Sequence, residues 1–104
     1  MKFQMILLSS FLVASSAFAQ QAASDVTDVQ LSTYQTQMEA GCRERGHQRG
    51  EPRADAFCDC MVKTLQQQIP RSDWVRAYTF AQQGRHADEV QVVKPYLKQV
   101  EACK

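Results

Sequence analysis

Four cysteines, Cys42, Cys58, Cys60 and Cys103, are the residues whose type and spacing bear most directly on chemistry in this chain. A Cys-x-Cys pair suggests a thiolate metal site, a redox couple, or two disulfides anchored side by side. Zinc or copper held by Cys58 and Cys60 with His47 or His86 is disfavoured. Metal-binding cysteine pairs have about two to four residues between ligands, and on a helix these two diverge. A redox couple calls for Cys-x-x-Cys or an exposed, acidic thiol, and haem attachment for Cys-x-x-Cys-His; neither motif occurs. We therefore expect no metal and no cofactor. In a short chain, provided it is exported to an oxidising compartment, an even cysteine count reads as two disulfides.

The remaining candidates are weaker. Asp55 and Asp59 lie four apart and resemble an acid–base pair, but no partner motif accompanies them, and carboxylates near a helix N-terminus are favourable without any catalytic task. Arg43, Arg45, Arg49 and Arg53 crowd one loop and form a possible partner surface. The plainer reading is a solvated loop balanced by Glu44, Glu51 and Asp55. Trp74 and Phe80 suggest a ligand platform, although aromatics at helical spacing more often pack a core. No catalytic residues are assigned, and we expect a non-enzyme.

These residues are positioned by helices, because no segment alternates with period two for long enough to make a strand. Helix 1 starts at Asp28 and places Leu31, Tyr34, Met38 and Cys42 on one face, ending by Gly46. Gly41 weakens it by roughly 1 kcal/mol relative to alanine, unless it allows another backbone to approach closely. A Gly- and Pro-containing loop follows. Helix 2 spans about Arg53 to Gln68, with Ala54, Phe57, Cys58, Met61, Val62, Leu65 and Ile69 as its apolar stripe and Pro70 as its stop. Helix 3 runs from Asp73 to Gln83, capped by Ser72 and ended by Gly84. Asp88 and Gln91 resemble a capping box opening helix 4, in which Pro95 predicts a kink or restart before Cys103.

Four cysteines allow three pairings, and helix geometry removes one. Residues two apart on a helix point about 200° away from each other, so Cys58 and Cys60 cannot bond without breaking it. One of them must therefore reach Cys42 and the other Cys103. Both remaining pairings exclude a plain up-down bundle and require helix 4 to return antiparallel to helix 2. Between them the sequence leaves the choice open; we lean to Cys42–Cys60 with Cys58–Cys103. The expected fold class is all-α, a small bundle of three to four helices stapled by two disulfides.

The ends set the compartment. Met1 and Lys2 precede an apolar run from Met5 to Val13, and Ala17-Phe18-Ala19 offers a small-x-small cleavage site, so residues 1–19 read as a signal peptide. The run is far short of the roughly 20 residues that a spanning helix needs. Residues 20–27 read as a flexible tail and residues 28–104 as the stapled domain. Removing Lys2 from the twelve basic residues leaves eleven against eleven acidic ones. A neutral mature chain argues against nucleic acid or an anionic membrane as partner, and no membrane anchor is expected.

The arrangement of signal peptide, Cys42, aromatic-Cys-x-Cys (Phe57-Cys58-Asp59-Cys60) and a C-terminal Cys103 resembles small exported proteins of Gram-negative bacteria that are themselves largely uncharacterised. The resemblance implies a secreted helical fold and transfers no catalytic residue. The expectation is a periplasmic or secreted protein that binds another protein. In size, export and disulfides it resembles immunity proteins against toxins delivered into the periplasm. The alternative is a periplasmic stress or chaperone-like protein that responds to acid.

Overall fold

The computed structural model describes residues 25–104. The expected signal peptide and the first five residues of the expected tail lie outside the described residues. Every regular element within them is helical.

Helix α1, Asp28–Gln48, opens with a capping box. Thr27 Oγ1 accepts from the Gln30 N–H at 3.1 Å, and Gln30 Oε1 accepts from the Thr27 N–H at 2.8 Å. Val26 and Leu31, the positions of a hydrophobic staple around that cap, are both buried in the core. Arg71 donates to the Val26 carbonyl at 2.8 Å and pairs with Asp28 at 3.2 Å. The folded domain therefore reaches back to Val26, into what the sequence suggests is tail. The signal was the Thr27-x-x-Gln30 pattern itself.

A turn through Gly50, whose φ of 70° favours glycine, leads into α2, Ala54–Gln68. The Glu51 N–H reaches back to the Gly46 carbonyl at 3.0 Å and closes the end of α1. Helix α1 thus continues past Gly46, and at Gly46 it packs closely on the start of α2. A Cβ there would lie 2.5 Å from the Ala54 Cβ. A side chain at Gly41 would meet only the Arg45 guanidinium, so the close approach expected at Gly41 occurs one turn later. Helix α2 buries Ala54, Cys58, Val62 and Leu65.

Ile69, extended as a residue before proline must be, ends α2, and Pro70 begins α3, Arg71–Gln82. Pro70, rather than Ser72, occupies the N-cap; Ser72 lies inside the first turn and makes no cap hydrogen bond. Gly84, with φ 71°, ends α3 as expected, and the Arg85 N–H bonds the Phe80 carbonyl at 2.9 Å. Helix α4, His86–Val93, begins two residues before the expected Asp88. No side-chain cap forms there. Asp88 instead pairs with Arg85 at 2.7 Å.

At Pro95 the missing N–H breaks the α-helical ladder into a 3₁₀ turn, Lys94–Tyr96, before a short α5, Leu97–Val100, and a final turn, Glu101–Cys103. Helix α3 packs mainly on α4 and α1, while α5 and the last turn return along α2. Leu31 and Tyr34 of α1, Leu65 of α2, Trp74 and Val75 of α3, Val92 of α4 and Val100 of α5 share one core.

Both bridges form, with the pairing opposite to the one favoured from sequence: Cys42–Cys58 and Cys60–Cys103, with Cα–Cα distances of 5.8 and 5.7 Å. The physical reason is the register set by Gly46 and Ala54. One helical turn back from Gly46 is Cys42 and one turn on from Ala54 is Cys58, so two antiparallel helices touching at the first pair must also touch at the second. The centre of the α2 stripe faces α1, and Cys60 on its flank faces the returning chain end. Cys103 lies there within 3.6 Å of Thr64 Oγ1.

Candidate functional site

A concavity of about 540 Å³ lies between α1 and α4. Helix α1 supplies one wall through Tyr34, Met38, Gly41 and Arg45, spaced four, three and four apart and so aligned along one face. Met61 and Leu65 of α2 contribute to the apolar lining, and α4 and α5 contribute Glu89, Val90, Val93 and Leu97. Val90 and Leu97 are apolar yet each is 40% exposed. Helix α4 buries only Val92 completely, which leaves Val90 on the lip.

One end of the groove is polar and internally satisfied. Tyr34 packs edge-on against Trp74 and Tyr78, with ring centroids 6.1 and 5.8 Å apart. Its hydroxyl donates to Glu89 Oε2. The other Glu89 oxygen lies 3.1 Å from His86 Nδ1, and His86 itself is exposed. Burial, reinforced by the hydrogen bond and negative charge of Glu89, pushes the Tyr34 hydroxyl well above the usual tyrosine range. Tyr34 therefore serves as a hydrogen-bond donor and a strut that keeps its proton.

The other end carries Arg45. Its side chain folds back over Gly41, with a guanidinium nitrogen 3.2 Å from where a Cβ on Gly41 would stand. Among the described residues Arg45 forms no ion pair. The four arginines of the possible partner surface have different surroundings. Arg43 is engaged with Glu39 at 2.6 Å, and Arg49 and Arg53 are exposed around the α1–α2 turn. Arg45 alone lines the groove.

The other sequence candidates are dispersed. Asp55 pairs with His47 at 2.7 Å and Asp59 with Lys63 at 3.2 Å, in separate exposed ion pairs, so the two carboxylates share no site. Trp74 is 3% exposed and belongs to the core. Phe80 carries the Arg85 guanidinium over its ring at 4.8 Å. All four sulfurs are consumed in disulfides and leave no thiolate. Among the described residues no group of three or more His, Cys, Asp or Glu side chains is placed to hold a metal ion, and no helix is long and apolar enough to cross a membrane.

A further staple of the bundle was equally invisible in the sequence. The Tyr96 hydroxyl donates to Asp73 at 2.6 Å, and Arg76 adds a second contact to the same carboxylate at 3.1 Å. The Tyr96 hydrogen bond, then Arg76, holds the Asp73 carboxyl below its usual range. Spacing within one helix suggests that Arg76 reaches Asp73 and His86 reaches Glu89; nothing in it brings Tyr96 to Asp73 or Tyr34 to Glu89. Compared with family models, curated proteins and solved structures, the chain matches none.

Proposed function

We propose that this chain is an exported, disulfide-stapled, non-enzymatic protein that works by binding another protein, and that it does so through the α1–α4 groove. The observation that carries this reading is the open apolar lip of Val90 and Leu97 over a Met-containing floor, on a scaffold fixed by two disulfides. Methionine-lined surfaces adapt to the side chains they receive. The disulfides favour an oxidising compartment. With the signal-like residues 1–19 and the resemblance of the Phe57-Cys58-Asp59-Cys60 segment to exported Gram-negative proteins, they favour the periplasm. An immunity protein against a periplasm-delivered toxin is the concrete version we put forward, by analogy of size, export and disulfides.

The test is a photo-crosslinking amino acid placed at Val90 in one variant and, in another, at Val29, which is 74% exposed and does not line the groove. Expressed with its signal in a Gram-negative host, the Val90 variant is expected to give a discrete adduct and the Val29 variant none. Adducts from Val29 alone would move the binding surface elsewhere, and no adduct from either would count against partner binding.

The Tyr96–Asp73 bond favours a second reading, an acid-responsive stress or chaperone-like protein. Protonating Asp73 weakens that bond and loosens the closing segment against α3. Unchanged circular dichroism and no apolar-dye binding at low pH would remove it.

A further inference from the structure

The groove runs along α1 from Tyr34 to Arg45, eleven residues, or about 16 Å at the helical rise. One helix forms its wall, and at Gly41, which contributes no side chain, the Arg45 guanidinium folds over the backbone. It is also open, since Val90 and Leu97 remain 40% exposed on its lip. A small ligand in a built pocket has roughly 70–90% of its surface covered. This groove covers an occupant from one side only, which suits a face of a partner helix of about three turns.

Charge distinguishes the two ends. At the Tyr34 end, one Glu89 oxygen accepts from the tyrosine hydroxyl and the other lies 3.1 Å from His86 Nδ1, so both are engaged. At the Gly41 end the Arg45 guanidinium lies against the groove with no ion-pair partner among the described residues. We infer that the groove receives an amphipathic helix of a partner protein whose apolar face covers Met38, Met61, Val90 and Leu97 and whose acidic residue pairs with Arg45. This inference rests on the partner-binding reading and specifies the partner's chemistry. Pairing a lip-exposed arginine with a carboxylate orients the helix and discriminates among partners more than it adds to affinity.

The experiment uses the oxidised mature protein and two labelled amphipathic peptides of about fifteen residues, enough for the length of the groove. They share leucines at i, i+3, i+4 and i+7 and carry either glutamates or lysines beside that face. Fluorescence anisotropy is expected to show saturable binding of the glutamate peptide, about tenfold tighter than the lysine peptide. Arg45→Glu reverses that order, Leu97→Asp weakens both peptides by about tenfold or more, and Val29→Asp changes neither. Leu97, Arg45 and Val29 are exposed, so each variant is expected to fold, which circular dichroism checks.

Binding lost with Leu97→Asp but blind to peptide charge and to Arg45→Glu overturns the acidic anchor and leaves partner binding in the groove standing. Failure of both peptides to bind, while Val90 still forms its crosslinked adduct, overturns the helical occupant alone. Arg45-dependent binding of dodecanoate in place of either peptide, or self-association through the groove by sedimentation, would likewise replace the proposed occupant.

Discussion

The two long edges of this bundle are held by different means. Where α1 meets α2, the junction has a disulfide, a glycine–alanine contact without room for a methyl group, and the His47–Asp55 pair across the turn. Where α1 meets α4 there is a single buried valine on α4, one tyrosine–carboxylate hydrogen bond and an open groove. Covalent and close-packed contacts therefore fix α1 to α2, whereas α4 rests mainly on α3 and is held to α1 by side-chain contacts. The second bridge, Cys60–Cys103, ties the chain end back to the frame, so α4 can loosen without the closing segment being lost. Such a division gives a binding edge freedom to adjust while the scaffold stays folded.

Breaking the frame is expected to have the largest effects. The Cys60–Cys103 bridge spans 43 residues and Cys42–Cys58 spans 16. On the chain-entropy account their loss, as paired serine variants, costs about 4 and about 3 kcal/mol respectively by urea denaturation. Equal losses would indicate that strain or packing outweighs loop closure. Next comes the helix contact. Gly46→Ala places its methyl against Ala54 and is expected to destabilise by about 1–3 kcal/mol. Gly41→Ala, in the same helix, displaces only the flexible end of Arg45 and is expected to stabilise by up to about 1 kcal/mol. Thermal melts showing the same sign for both would contradict the contact map.

On the groove side, Tyr34→Phe is expected to cost about 1–2 kcal/mol, because Glu89 loses a donor at a site 18% exposed. Its pH dependence sharpens the comparison. The folded Tyr34 keeps its proton above the range in which the unfolded residue ionises, so its contribution is complete below about pH 10 and is lost as pH rises beyond it, by about 1.4 kcal/mol per unit. Tyr34→Phe is expected to flatten that alkaline limb in stability measurements between pH 9 and pH 11. The smallest effect belongs to Asp73. Its carboxyl is depressed in the folded state, so its stabilising contribution is present above the usual aspartate range and disappears as pH falls through its folded value. Asp73→Asn is expected to reduce the acid sensitivity of the wild type slightly; no change would show that the Tyr96–Asp73 bond contributes little.

Much of the frame was legible in the chain because it is written in local patterns. Apolar spacing placed α1 and α2, Pro70 and Gly84 placed the ends of α2 and α3, and the divergence of Cys58 and Cys60 on one helix forced the chain end to return. The pairing was misread because the stripe alone does not say which neighbour its centre faces. That depends on the Gly46–Ala54 register, and the glycine expected to matter was Gly41. Thr27 was missed through assigning it to the tail, although its capping-box spacing to Gln30 was present. The groove was illegible for a different reason. Tyr34 and Glu89 are 55 residues apart and meet only after the α3–α4 hairpin has folded over α1. No short-range pattern marks Val90 or Leu97 as exposed, since both fit an apolar helical stripe.

Amide hydrogen exchange on the oxidised protein tests the division between frame and groove edge most directly. The account predicts that Cys58 to Leu65 of α2 exchange only through global unfolding, while Glu89 to Val93 of α4 exchange through a smaller opening whose rate is insensitive to low urea. Protection of α4 equal to that of α2, with the same urea dependence, would contradict it and make the bundle a single cooperative unit.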